Sequence, residues 1–293
     1  MSSKATKTIL VTGGLGFIGS HTVLELLNKD LLKQHNFTYE IEPIIVDNLY
    51  NSSIKIKSIL EEMTGKTLTF YNCDLCNKTD LENIFKRHKI DIVIHFAGYK
   101  SVNESIFYPL EYYQNNLVSS LNLVDLCLKY KVNNLIFSSS CTVYGTAAER
   151  AKEDMIELHP TNPYGKTKLF IENIFKDISN AHPEFKSCLL RYANPVSAHP
   201  SGKLGENPNP KSRNPNLFPI LEQCIRKQRE KVVIFGNDYN TRDGTCIRDY
   251  IHVTDISQAH VVALKCFDNE KLFENSSCVF NAGVIWDIPS KKL

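Results

Sequence analysis

Apolar positions along this chain fall into two alternating textures, short β-branched runs and longer stretches with helical spacing. Residues 8–11 read as a buried strand, and 16–28 as a helix with Ile18, Val23, Leu26 and Leu27 on one side. Residues 42–47 form a second buried strand, and 68–72, 91–96, 134–138 and 187–192 follow as further strands. Helices are predicted between them at about 52–63, 79–88, 110–130 and 164–180. Strands alternating with helices of this length imply a parallel sheet covered on both faces. The right-handed crossover rule makes that sheet doubly wound, so the predicted class is α/β.

The texture changes at Asn194. Six prolines (Pro195, Pro200, Pro208, Pro210, Pro215 and Pro219) fall between there and Pro219, with Gly202 and Gly205 among them. A long irregular segment inside a regular protein is usually functional or disordered. Apolar stretches resume at 217–225, 232–235, 247–251 and 256–267. The expected organisation is one domain over 1–193 and a smaller, substrate-side α/β domain over 194–293, with some segments returning to the sheet.

The 293 residues are 42% apolar and 23% charged, an ordinary balance for a globular chain. The net charge of +2 gives no reason to expect nucleic acid or a membrane surface as a partner. The longest apolar runs fall short of the ~18 residues a membrane span needs, and residues 1–7 are polar, without a secretory core. Nine cysteines, an odd number on a chain of this size, fit a reducing, cytoplasmic setting. Cys73 and Cys76 form a C-x-x-C that no second pair answers, so no metal site is expected.

The most informative segment is Thr8-Ile-Leu-Val-Thr-Gly-Gly-Leu-Gly-Phe-Ile-Gly19, a strand that breaks into glycines and opens a helix. Gly13 can take a left-handed turn, Gly16 lets backbone approach a ligand, and Gly19 lets the helix pack closely on the sheet. The helix N-terminus would then offer free N–H groups to a pyrophosphate, which points to a Rossmann dinucleotide site. Asp47 ends the second strand, where a carboxylate can accept both ribose hydroxyls and so favours NAD over NADP. It stands 28 residues past Gly19, a spacing explained by a polar insertion over 30–39. Asp74, ending the third strand, is expected near the adenine edge.

Tyr164 and Lys168 stand four residues apart on one helix face. A free tyrosine, with a pKa of ~10, is a poor base, and a nearby ammonium is expected to lower that value. Tyr164 could then take a proton from a sugar hydroxyl while hydride leaves the same carbon. Upstream, Phe137-Ser-Ser-Ser-Cys-Thr-Val-Tyr-Gly145 ends a strand in hydroxyls, and Ser140 and Thr142 would contact the same substrate oxygen. His95, inside a buried strand, and His252 are read as structural. Arg248 could clamp a phosphate bidentately, the alternative being a surface ion pair with Asp249.

Taken together, the chain from Thr8 to Gly283 closely resembles the nucleotide-sugar epimerases of the extended short-chain dehydrogenase/reductase family. The matching motifs include Thr12-Gly-Gly-Leu-Gly-Phe-Ile-Gly-Ser-His21, Val46-Asp-Asn-Leu49, His95-Phe-Ala-Gly98 and Pro109-Leu-Glu-Tyr-Tyr113. Pro163-Tyr-Gly-Lys-Thr-Lys168, Leu190-Arg-Tyr-Ala-Asn-Pro195 and Asp243-Gly-Thr-Cys-Ile-Arg-Asp-Tyr-Ile-His-Val253 follow. The resemblance implies tightly bound NAD, with Phe17 and Ile18 on the pyrophosphate turn. It places Asp47, Asn48, Leu49, Tyr50, Asn51 and Ser52 around the adenosine ribose, and Asp74 and Leu75 at the adenine. Phe96, Ala97, Gly98, Tyr99, Lys100 and Asn115 would line the cofactor further along. Ser140, Tyr164 and Lys168 would form the catalytic set. Asn194, Asn216, Leu217, Val233, Ile234, Phe235 and Arg248 would hold a UDP-sugar.

The implied activity is interconversion of UDP-galactose and UDP-glucose through a 4-keto sugar, a step of galactose metabolism. The implied assembly is a homodimer through the two long mid-chain helices. Ala193 stands where the family carries an aromatic that backs the nicotinamide, so a gap is expected there, and Ser197 replaces a glycine. The family sequence continues several tens of residues past Asn281-Ala-Gly283, so the closing part of the substrate domain is expected to be missing. An inactive or regulatory NAD-binding form is one alternative. A nucleotide-sugar 4,6-dehydratase is another, although that class carries an acidic pair after the threonine, and Val143 and Tyr144 follow Thr142 here.

Overall fold

A computed structural model describes residues 5–145, 151–207, 216–234, 236–273, 277–283 and 288–289. Its first part runs β1 (Thr6–Thr12), α1 (Phe17–Leu26), α2 (Lys29–Gln34), β2 (Glu40–Asp47), α3 (Lys55–Thr64) and β3 (Thr69–Asn72). It continues with α4 (Lys78–Arg87), β4 (Ile92–His95), α5 (Val102–Phe107), α6 (Pro109–Lys129), β5 (Asn134–Ser140), α7 (Pro163–Ala181) and β6 (Lys186–Tyr192). After β6 come β7 (Asn194–Val196), α8 (Leu217–Ile225), β8 (Ile247–Arg248), β9 (Tyr250–His252), α9 (Val253–Ala263), β10 (Ser277–Ala282) and β11 (Ile288–Pro289).

Seven strands make one parallel sheet in the order β10-β6-β5-β4-β1-β2-β3. The chain winds outward from β1 to β3, then crosses back to β4 and winds the other way. The order therefore reverses between β1 and β4, the place where an open α/β sheet offers a crevice to a ligand. Register brings the strand ends to one edge: Thr12 lies opposite Val46 and His95, and Ser140 opposite Tyr192.

Strand alternation builds two cores. Ile9, Val11 and Ile45 face the layer that holds Val23, Leu26 and Ile256, whereas Leu10, Ile44 and Val93 face the layer that holds Leu81, Leu123 and Phe175. The α/β, doubly wound reading therefore holds. Segments beyond Asn194 return to the sheet, α9 packing beside α1 and β10 adding the edge strand next to β6. No helix among the described residues is long and apolar enough to cross a membrane.

Local chemistry explains where the elements depart from the predicted boundaries. The predicted helix over 16–28 stops at Leu26, because the Asn28 side chain accepts from the Asp30 and Leu31 N–H groups and starts α2. The 30–39 insertion thus holds a short helix, and it buries Leu31, Phe37 and Tyr39 against the first core. Helix α5 was not predicted; Ser101 caps it by accepting from the Glu104 N–H, and Pro109 then opens α6. Residues Val232 to Ile234 form no regular element.

Ser197, just past β7, takes φ of +77°, a conformation that suits glycine. Left-handed backbone costs a side-chain-bearing residue roughly 1–2 kcal/mol, more than the roughly 0.4–1 kcal/mol that glycine's freer unfolded chain costs. Ser197→Gly is therefore expected to stabilise the fold, read as a higher urea midpoint at unchanged slope; a lower midpoint would show that the Ser197 side chain makes a compensating contact.

Candidate active site

The glycine turn between β1 and α1 closes only because side chains are missing. Gly13 has φ of +67° and donates to the Val46 carbonyl at 2.7 Å. A Cβ on Gly13 would lie 2.8 Å from the Ala97 nitrogen, and one on Gly19 only 2.2 Å from the Gly13 oxygen. Helix α1 begins after Gly16 with no side-chain cap, and half-buried Phe17 and Ile18 form its first residues. Its first N–H groups are therefore available to an anion, with the helix dipole behind them.

Asp47 organises the neighbouring loop. One carboxylate oxygen accepts from the Leu15 N–H at 3.1 Å, and the other from the Leu49 N–H at 2.9 Å and the Ser52 hydroxyl at 2.7 Å. Leu49 is left-handed, and Asn48 turns outward to accept from the Tyr50 N–H and to reach Asp74 at 3.4 Å. Asn51 keeps a buried Oδ1 without a protein hydrogen bond. Asp74 itself is exposed and accepts from the Cys76 N–H, while Leu75 is buried. Asp47 to Ser52 and Asp74 to Leu75 thus come together beside the glycine turn.

The loop after β4 is held by a residue that sequence reasoning missed. Buried Asn116, on α6, accepts from the Tyr99 N–H at 2.7 Å and from the Asn115 amide at 3.0 Å. Its own amide donates to the Tyr99 carbonyl at 3.1 Å and to the Thr167 hydroxyl on α7 at 3.0 Å. A buried amide needs such partners; the only sequence signal was an Asn pair within an otherwise amphipathic helix. Phe96 donates its N–H to the Thr12 carbonyl, Gly98 takes φ of +153°, and Tyr99 packs between the Tyr50 and Tyr112 rings. Lys100 reaches across to pair with Glu206. His95 is structural, bonded to Thr12 at 2.7 Å and Ser120 at 2.9 Å.

At the end of β5, Ser140 accepts from the Thr142 N–H at 3.2 Å and the Thr142 hydroxyl at 3.0 Å. Asn162 caps α7 and Pro163 begins it, which sets Tyr164 at the helix start. Lys168, one turn on, is buried; its ammonium donates to the Ser138 carbonyl at 2.7 Å and lies 5.8 Å from the centre of the Tyr164 ring. Ser140, Thr142, Tyr164 and Lys168 are therefore gathered at one strand edge.

Their charge states differ from the expectation. Burial pushes the Tyr164 phenol up to about 12, only partly opposed by a hydrogen bond with Ser140. Burial also pulls Lys168 down to about 7, with Glu172 acting the other way. The lowering of Tyr164 by Lys168 is thus absent, because the lysine faces the Ser138 carbonyl and is itself disfavoured as a cation.

The next turn of α7 is pinned by an ion pair. Glu172 and Arg191 are 0% and 1% exposed, and Arg191 Nη2 meets Glu172 Oε2 at 2.6 Å. Arg191 Nε donates to Oε1 at 2.9 Å, Nη1 donates to the Tyr144 hydroxyl at 2.9 Å, and Ser139 donates to Glu172.

On the substrate side, Ala193 follows β6 and donates its N–H to the Ala282 carbonyl at 3.3 Å. The space beside it is bounded by Gly283, whose Cβ, if present, would stand 3.9 Å from that of Ala193 and 2.2 Å from an Asp249 carboxylate oxygen. Asn194 donates both its N–H and its amide to the Asp249 carbonyl. Pairing of β7 with β9 therefore brings Asn194 close in register to exposed Arg248, which donates to the Ile247 carbonyl. Asn216 and Leu217 start α8, whose Phe218 packs on Tyr250. Val233 and Ile234 lie in exposed coil outside this group, and Phe235 lies outside the described residues. His252 caps α9 by accepting from the Thr254 N–H.

Truncating one member of a buried ion pair leaves the other uncompensated, at a cost of about 3–5 kcal/mol. Glu172→Ala should lose stability of that order in equilibrium unfolding; a loss below about 1 kcal/mol, the range of exposed pairs, would mean that Arg191 finds another partner.

Residues 9–283 match the family model described as "NAD dependent epimerase/dehydratase family". The UDP-glucose 4-epimerase of Bacillus subtilis (strain 168) is 47% identical over 257 residues, 88% of this chain and 72% of that protein. That of Dictyostelium discoideum is 46% identical over 263 residues, 90% of this chain and 73% of its own length. Among solved structures, UDP-glucose 4-epimerase from Bifidobacterium longum in complex with NAD+ and UDP superposes with a TM-score of 0.86 at 42% identity, covering 97% of this chain and 80% of the other.

Proposed function

The chain belongs to the NAD dependent epimerase/dehydratase family, and we propose that it interconverts UDP-galactose and UDP-glucose by redox-neutral inversion at C4. The observation that carries this reading is the convergence of Ser140, Tyr164 and Lys168 on the strand edge next to the glycine turn.

The residues present fit NAD. The Gly13–Gly19 turn is closed so tightly that a Cβ at Gly13 or Gly19 would strike backbone, α1 offers uncapped N–H groups for the pyrophosphate, and Asn51 keeps a buried acceptor beside Asp47. Asp47 to Ser52 would hold the adenosine ribose, Asp74 and Leu75 the adenine, and Phe96 to Lys100 with Asn115 the stretch toward the nicotinamide. When bound, NAD supplies reversible hydride acceptance and a positive charge that favours the Tyr164 phenolate.

The chain's own residues handle the proton and the grip. Tyr164 takes the proton of the 4-hydroxyl and returns it, while Ser140 and Thr142 hold the same sugar oxygen. Lys168 keeps the phenol's surroundings polar while bonded to the Ser138 carbonyl. Asn194, Asn216, Leu217 and Arg248 grip the UDP, so binding energy resides away from the ring that must turn over. Residues 1–193 then serve the cofactor and 194–293 the sugar nucleotide, in a cytoplasmic enzyme. A 4,6-dehydratase is disfavoured, since the two positions after Thr142 are buried Val143 and a Tyr144 engaged by Arg191.

The assembly that fits this reading is a homodimer. Helices α6 and α7 leave Leu110, Val118, Leu121 and Phe170 exposed, with Tyr113 stacked on Phe170. An apolar stripe on adjacent helices is the self-complementary surface a two-fold dimer needs.

Two experiments test these statements. NAD-loaded protein should convert UDP-galactose to UDP-glucose in a coupled assay, and Tyr164→Phe should lower kcat by about 10²–10⁴-fold with NAD content retained. A folded, NAD-bound wild type without turnover would overturn the activity. Leu121→Glu should convert a dimer to a monomer in light scattering after gel filtration, whereas a wild type already monomeric at micromolar concentration would overturn the assembly.

A further inference from the structure

Three cysteines far apart in sequence meet on β6, β10 and the 3-10 turn Leu264–Asp268 that follows α9. Parallel pairing sets Cys188 directly opposite Cys278, and Cys266 approaches from the turn. The three sulfur atoms lie within 4.8 Å of one another. Cys188 and Cys278 are buried, whereas Cys266 is partly accessible. This is not the catalytic edge: Cys188 precedes Tyr192 by four residues, about 13 Å along a strand.

The arrangement suits a metal better than a disulfide. A disulfide would engage only two of the three sulfurs, whereas one metal ion can engage all three. Three thiolates bound at about 2.3 Å in one plane would stand about 4 Å from each other, within the observed limit.

Sulfur donors select soft ions. Structural zinc takes four ligands, and among the described residues this group holds three. We propose that Cys188, Cys266 and Cys278 form a buried three-coordinate site for a thiophilic cation of the copper(I) class. Binding forms three sulfur–metal bonds, releases the thiol protons to solvent, and changes no oxidation state. Its structural effect is to staple the turn after α9 to the β6–β10 edge.

The test uses the full reduced chain and copper(I) delivered from a chelator buffer under nitrogen. Expected are one copper per chain, a near-ultraviolet thiolate-to-copper band, a raised melting temperature, and protection of Cys266 from a thiol reagent. Cys266→Ser, at the accessible member, should weaken binding by at least about a hundredfold, the upper range for losing even an outer partner of a ligand. Cys127→Ser, a buried cysteine elsewhere, should leave binding unchanged. Copper retained equally by folded Cys266→Ser, preference for zinc(II) over copper(I), or no uptake by the folded reduced wild type would each overturn the proposal.

Discussion

The ion pair between Glu172 and Arg191 is the constraint on which the catalytic edge depends. Two opposite charges with almost no access to water are tolerable only when every polar atom is engaged. Here the guanidinium gives Nε and Nη2 to the carboxylate and Nη1 to Tyr144, while Ser139 supplies a further donor to Glu172. Those partners belong to β5, to the turn after it, to α7 and to β6. The pair therefore sets α7 against the sheet with one rotation and one height, since planar bidentate geometry allows little slippage. Lys168 sits one turn before Glu172, and Tyr164 one turn before that. Their placement at the strand edge follows from where Glu172 is anchored.

Asn116 does the corresponding work on the other side. Its amide joins the loop after β4 to Thr167 on α7, and Thr167 in turn donates to the Tyr164 carbonyl. The loop expected to line the cofactor and the helix that carries Tyr164 and Lys168 thus share one buried hydrogen-bond network. A shift in either is felt by the other, because breaking any member strands a buried polar group at about 1–3 kcal/mol.

Much of this architecture was legible in the sequence because its signals are local. Strand and helix periods, the glycine turn, Asp47 at a strand end and the four-residue spacing of Tyr164 and Lys168 each occupy a short window. Three other features depend on pairs that only the fold brings together. Glu172 and Arg191 are 19 residues apart, Asn116 and Thr167 are 51 apart, and the three cysteines are spread from 188 to 278. No short window contains them. The short α2 was missed for a different reason: its polar composition hid the burial of Leu31, Phe37 and Tyr39. The direction of the Tyr164 shift was wrong because spacing places a lysine nearby but says nothing of burial, or of the carbonyl that captures the ammonium.

That correction changes what the catalytic edge is built to do. The phenol is pushed up to about 12 and the amine down to about 7, each shifted by burial in the direction of its neutral form. Burying two mutually compensating charges here would have required a second fully satisfied pair, like Glu172 with Arg191, and so a rigid site. Burial instead disfavours the Tyr164 phenolate, and Lys168 leans on the Ser138 carbonyl. The same burial that opposes the phenolate magnifies the effect of any positive charge set beside it, since attraction between charges strengthens as the effective dielectric falls. In the proposed reaction, proton removal by Tyr164 is thereby tied to occupancy of the neighbouring dinucleotide cradle. A sugar that enters without its hydride acceptor meets a tyrosine whose phenolate burial disfavours.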